Sequence, residues 1–260
     1  MRNVFFHVPF LAALIVPCVA QNSLTITSDE RDLSRPISTL INQIRQHEKV
    51  SITYEDPRYV NSTDIEDVTA EVSKGSDLDK TYGPRILVPK GHPVTFVYVP
   101  AKMHGQNGAK ATIERMLQEY ASLGGPAFAV IGDGTRLHVV PREILDAAGA
   151  RVHQESIFES RVNVPPAQRN GGELLQAICD QIQKQTGYEV GIGPSVPGNY
   201  LARYQTATGI HDRSAREAIA ELLDLASMKG IFDWDLYYDP GDKEYMLNFA
   251  YVGPVGKKAK

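Results

Sequence analysis

Thiol chemistry is almost missing from this chain. It has two cysteines, and Cys18 falls in an N-terminal stretch expected to be removed, so Cys179 has no partner for an internal disulfide and the fold must be held by its cores. Concentrated positive charge is also missing: the formal net charge is −4, and the one basic cluster is Lys257, Lys258 and Lys260 near the end. That balance speaks against nucleic acid as a partner. Beyond residue 20 no apolar run approaches the ~18 residues that span a bilayer. The motifs of covalent and phosphate chemistry are lacking too, with no Gly-x-Ser-x-Gly, Ser-x-x-Lys or Gly-rich phosphate loop. Past His7, the histidines His47, His92, His104, His138, His153 and His211 are scattered one to a segment. A zinc site needs three or four converging ligands, so this scatter points to surface and capping roles. No cofactor is called for.

What is present begins with an export signal. Arg2 precedes an apolar stretch from Val4 to Val19, and Cys18-Val19-Ala20 stands before Gln21. A basic start, a short apolar run and small residues before a cut describe a secretory signal peptide over residues 1–20. The competing reading is a lipoprotein signal with Cys18 acylated, against which Pro17 occupies the place of a small residue. The expected location is therefore periplasmic or secreted, with membrane attachment only if Cys18 carries lipid.

The remainder repeats itself. Ile37, Leu40, Ile44, Val50 and Ile52 align with Leu175, Ile178, Ile182, Tyr188 and Val190, and Ile113, Met116 and Leu117 align with Ile219, Leu222 and Leu223. The second alignment also sets Val94, Phe96 and Tyr98 on Tyr200, Ala202 and Tyr204. Repeats of this kind determine the architecture and are sought first. The expected organisation is a first α+β module over 21–141 with an insertion at about 57–91, a linker or short helix over 142–155, a second module over 156–253, and a tail over 254–260. Each module is expected to be a small sheet with two helices on one face.

Within the first module, Pro36 opens a helix whose stripe is Ile37, Leu40, Ile41 and Ile44, and a strand follows over Val50–Glu55. The acidic stretch Asn61–Asp79 reads as a loop with a short helical turn, and Ile86–Pro89 as an edge strand. A strand over Val94–Val99 and a helix over Ala111–Leu123 precede a hairpin of Ala127–Ile131 with Arg136–Val140, turning at Gly132-Asp133-Gly134-Thr135. The second module is expected to run through a lead-in strand over Ile157–Val164, a helix over Gly172–Gln185 and strands over Tyr188–Ile192 and Tyr200–Thr206. A helix capped by Ser214 and Glu217 and a hairpin of Phe232–Tyr238 with Tyr245–Val252 complete it.

This order, with the helix Ser214-Ala215-Arg216-Glu217-Ala218-Ile219-Ala220-Glu221-Leu222-Leu223 and a terminal hairpin, resembles the short N-terminal domain of secretins and TonB-dependent receptors. The resemblance covers each copy apart from the insertion and is better in the second. It implies a periplasmic module that docks on other envelope proteins through sheet edges and helix faces. With no barrel, plug or secretin domain in the chain, it implies a free-standing protein made of such modules.

Several residues bear on chemistry. Asp233, Asp235, Asp239 and Asp242 suggest calcium ligands, but their spacing fits no calcium loop. Phe232, Trp234, Leu236 and Tyr238 take one strand face and leave Asp233, Asp235 and Tyr237 on the other, which reads as solvated. Cys179 follows Ile178 on the helix stripe and reads as a packing thiol. Tyr200, Tyr204 and Tyr237 are candidates for an interface, with core or ordinary surface use standing beside that reading. The functional expectation is a non-catalytic interaction module of the envelope. The alternative is an exported hydrolase or small-ligand binder with a site in the cleft between modules, for which His104, Asp133 and His138 are the residues to change.

Overall fold

A computed structural model describes residues 23–28, 34–47, 50–72, 85–100, 106–132, 136–226, 228 and 232–252. The expected signal peptide with Cys18, the tail over 254–260, His104 and Asp133 lie outside the described residues.

The chain opens with β1 (Leu24–Thr27) and α1 (Pro36–His47), where Pro36 takes a first-turn place that needs no amide donor. Ile37, Leu40, Ile41 and Ile44 are buried along one stripe of α1. After β2 (Ser51–Glu55), the insertion forms β3 (Ile65–Asp67), the single turn α2 (Thr69–Val72) and β4 (Leu87–Pro89). β3 and β4 pair antiparallel in a ribbon of their own, and β4 packs beside the later strand Phe232–Asp239. The first half closes with β5 (Thr95–Tyr98), α3 (Gln106–Ser122), β6 (Phe128–Ile131) and β7 (Arg136–Pro141).

Residues expected as a linker or short helix form instead the hairpin of β8 (Glu143–Leu145) and β9 (Arg151–His153). The Asp146 carboxylate fixes that turn by accepting from the N–H groups of Ala148 and Ala150, both at 2.9 Å.

The second half begins with a one-turn 3-10 segment at Ile157–Glu159, capped by the Ser156 hydroxyl, where the start of a strand is expected. Then come β10 (Arg161–Val164), β11 (Arg169–Asn170) and α4 (Gly171–Thr186). A reciprocal cap between Asn170 and Glu173 starts α4, and Gly187, at φ 77°, ends it in a left-handed conformation that suits glycine. β12 (Val190–Ile192), α5 (Gly198–Arg203), β13 (Gln205–Thr206) and β14 (Ile210–Ser214) lead to α6 (Ala215–Leu225), again opened by a reciprocal cap, Ser214 with Glu217. β15 (Phe232–Asp239) and β16 (Glu244–Tyr251) end the fold.

The strand expected over Tyr200–Thr206 is thus mostly the helix α5, followed by a two-residue strand. Leu201 is the residue of α5 that is buried, and it lies against Gly171, where a Cβ would meet the Leu201 carbonyl oxygen at 2.9 Å. One anchored residue in six makes a short helix; the alternation of Tyr200, Ala202 and Tyr204 has no sheet face to serve. β14 takes the place expected for that strand, pairing antiparallel with β10 as β5 pairs with β1.

The fold is mixed α+β around a six-stranded sheet of order β12-β16-β15-β2-β7-β6. Both halves follow one plan. β2 runs parallel to β7, which pairs antiparallel with β6; β12 runs parallel to β16, which pairs antiparallel with β15. The halves join where β15 and β2 run parallel, with Asp235 opposite Tyr54 and Leu236 opposite Glu55.

Alternation of side chains along each strand then places the helices. Trp234, Leu236 and Tyr238 enter the core under α4 and α6, whereas Ile52 and Tyr54 enter a second core with α1 and α3. Asp235 on the reverse of β15 reaches α1, and Glu55 on the reverse of β2 reaches α6. The two pairs of helices therefore cover opposite faces of one shared sheet.

Candidate interaction site

The expected solvated acidic face is buried. Asp233 is 0% and Asp235 2% exposed, because β15 is an interior strand covered on both faces. Arg45, the residue after the last apolar position of the α1 stripe, donates to Asp235 Oδ1 at 2.6 Å and Oδ2 at 3.0 Å, and to the Ile52 carbonyl at 2.6 Å. Asp233 accepts from the Ile52 N–H at 2.8 Å and from the Ser51 hydroxyl.

Two more guanidinium–carboxylate sets lie along the same junction. Arg216 of α6 donates to Glu55 Oε1 at 2.8 and 3.1 Å and to Glu159 at 2.5 Å. Arg35 donates to Asp56 at 2.6 Å and to the Tyr238 carbonyl at 2.9 Å, while the Tyr238 N–H donates back to Asp56 at 2.9 Å. Burial pushes the carboxyls of Glu55, Asp56 and Asp233 up, and the facing guanidinium groups pull against it. The sequence signal for all this was an arginine at the margin of an apolar stripe and carboxylates alternating with large aromatics.

His138 belongs to the same layer. Its Nδ1 lies 2.7 Å from Thr53 Oγ1, and its ring stacks on Trp234 with centroids 5.9 Å apart. Burial first, then the positive charges of Arg216 and Arg136, push its pKa down to about 3. At neutral pH it is an uncharged packing group. Cys179 is 1% exposed and burial pushes its thiol up to about 12, which suppresses the reactive thiolate. Asp239 closes its own turn by accepting from Gly241 at 2.7 Å and Asp242 at 3.2 Å. Among the described residues, no three His, Cys, Asp or Glu side chains converge as metal ligands, and no helix is long and apolar enough to cross a membrane.

Two open depressions among the described residues bear on binding. One, of about 280 Å³, lies between the halves, where Arg58 sits 5.1 Å over the Tyr188 ring and donates to its hydroxyl, with Glu155, Glu159 and Tyr245 around it. The other, of about 300 Å³, is a groove between α4 and α6 alongside β14. Leu174, Ile210, Ala218 and Leu222 line it with apolar surface, and Leu225 stands 53% exposed at its lip. His211 and an Arg213–Glu221 ion pair at 2.9 Å form a polar rim. An apolar floor with a charged margin is the anatomy of a protein-binding patch.

The three candidate tyrosines do not meet. Tyr204 lines this groove and is half-buried. Tyr200 is 37% exposed and begins an edge-to-face row with Phe232 and Tyr251, each step 5.6 Å. Tyr237 turns inward, its hydroxyl 2.8 Å from Ser38 Oγ and its ring under Arg35 at 4.7 Å.

Comparison with protein-family models, with curated proteins and with solved structures finds no match to this chain.

Proposed function

We propose that this chain is an exported, non-catalytic interaction protein of the bacterial periplasm or envelope, built by duplication of one α+β module. On this reading it docks a peptide segment of another envelope protein in the groove between α4 and α6. The observation that carries the reading is Leu225, a large apolar side chain left half in water at the lip of an apolar groove. Exposed apolar surface of this kind, rimmed by charge, is characteristic of binding sites. The secretory signal over residues 1–20 and the resemblance to secretin and TonB-receptor N-terminal domains support the location and the class of partner.

The test places a photo-crosslinking residue at Leu225 and, separately, makes Leu225→Glu. The expected result is one defined crosslinked envelope protein, lost when Leu225→Glu is tested from a crosslinking position at His211, with the melting temperature unchanged. A crosslink that persists in Leu225→Glu overturns the groove as the docking site. The runner-up is a small-ligand or hydrolytic site in the cleft at Arg58, favoured by the arginine–tyrosine stack there. Turnover or ligand binding abolished by Arg58→Ala but indifferent to Leu225→Glu would replace the first reading with the second.

A further inference from the structure

The junction between the halves joins two different strand edges. On one side stands β15, the last strand of its half-sheet; on the other stands β2, the first of its own. An interface between unlike surfaces does not close on itself and leaves one surface of each kind free at the two ends. Among the described residues those surfaces are free: β6, which holds the place of β15, ends the sheet on one side, and β12, which holds the place of β2, ends it on the other.

The backbone groups at both ends point the right way. In a strand, the N–H and C=O of successive residues point to alternate edges. At the internal junction Asp56 donates to the Leu236 carbonyl at 2.8 Å, so the even-numbered residues of β15 and β2 bond each other. The Arg142 N–H donates to the Ala127 carbonyl at 2.8 Å, so the odd-numbered residues of β6 serve β7, and Phe128 and Val130 face outward. Gly193 donates to the Leu247 carbonyl at 2.8 Å, so Val190 and Ile192 of β12 face outward. By the alignment of the two halves, Phe128 and Val130 correspond to Trp234 and Leu236, and Val190 and Ile192 to Ile52 and Tyr54.

The side chains also permit contact. Exposed edges are normally defended by charge or proline within the strand. Ala127–Ile131 and Val190–Gly193 contain neither. Where Asp235 meets buried Arg45 inside the chain, the free ends carry Ala129 on β6 and an exposed Gln183 on α4, so this contact strands no charge; Lys110 of α3 holds the place of Arg216 and has Gly193 in the place of Glu55, which leaves one lone charge there.

We propose that a second copy of this chain docks on the first, its β12 pairing parallel with β6 as β2 pairs with β15 within the chain. Repetition gives an open head-to-tail row with all copies oriented alike. It lacks the ion pairs of the internal junction, so it forms weakly and grows with concentration. The site is separate from the groove at Leu225, and neither reading depends on the other.

Sedimentation velocity of the full chain over a concentration series tests it. The expected result is a weight-average mass that rises with concentration in the wild type. Ala129→Asp, which puts an unpaired carboxylate at the edge, should return it to the monomer value, and Leu225→Glu should leave the rise intact. Ala129→Asp mixed with Gln183→Arg, re-creating the Asp235–Arg45 contact between chains, should associate again, each variant retaining the wild-type melting temperature. A mass that stays monomeric at every concentration in both the wild type and the mixture overturns the proposal. So does association indifferent to Ala129→Asp, which would place the contact elsewhere.

Discussion

Arg45 illustrates how a single charge is held inside this protein. Its side chain is 2% exposed and contacts Asp235 and Asp233 from across the junction. Such a pair contributes little net stability compared with apolar residues of the same shape, but removing one partner leaves a buried charge unmatched, at about 3–5 kcal/mol. Arg45→Met should therefore lower the unfolding free energy by about that amount, and adding Asp235→Asn should recover part of it. Urea unfolding of the two single variants and the double reads the coupling; strictly additive losses would mean the contact is energetically idle. His138 makes a second case. Its folded-state pKa, about 3, lies below the ordinary value of 6.5, so the native state favours the neutral ring. That stability is present in full above pH 6.5 and is lost as the pH falls from there toward 3, at no more than about 1.4 kcal/mol per pH unit. Between pH 7 and pH 5 the wild type should lose more stability than His138→Gln; equal losses would show that the ring takes up its proton freely in the folded protein.

Helices were the legible elements, because their apolar stripes declare a period and their caps declare an end. The stripe of α1, the stripe of α4 and the Ser214–Glu217 cap of α6 stand where the residues place them. If the stripes of α1 and α4 are equivalent, Leu40→Ala and Ile178→Ala, both at 0% exposed positions, should each cost about 2–5 kcal/mol through lost burial and a cavity. Chemical denaturation measures both, and a cost below about 1 kcal/mol for either would break the equivalence. Short extended segments were far less legible. Tyr200–Tyr204 alternates as a strand does, but Leu201 is the residue of that stretch that is fully buried, and Tyr204 packs half-buried against the same core. The acidic insertion also holds more structure than a loop: Asn61 caps a 3-10 turn and its side chain donates to the Asp146 carbonyl at 2.7 Å. A cleft between the modules stood among the alternatives, but the groove and the junction were not legible, since alternation shows that Asp233 and Asp235 leave the core of their own half but not that a second core receives them.

The two halves of the chain share one sheet, and that bears on how the whole molecule unfolds. Two guanidinium–carboxylate sets, the bonds of Arg35 and Asp56 to the Tyr238 backbone and a strand pairing cross from one half to the other, and each half shields a carboxylate of its neighbour that would be costly to bury without its partner. Loss of either half strips the other of one sheet edge and leaves Glu55, Asp233 or Asp235 without its arginine. The halves should consequently unfold together. Trp234, the single tryptophan, is 0% exposed in the second core and reports chiefly on that half, with His138 of the first half stacked against it, whereas far-ultraviolet circular dichroism reports on both. Leu40 lies in the first core. In one cooperative unit, Leu40→Ala lowers the Trp234 fluorescence midpoint by the same amount as the dichroism midpoint, about 5–15 °C for the cost expected of such a cavity. In two independent units the tryptophan midpoint would stay at its wild-type value while the dichroism split into two steps. Coincident shifts would mean that the junction, with its buried charges, binds the halves more tightly than either core could hold alone.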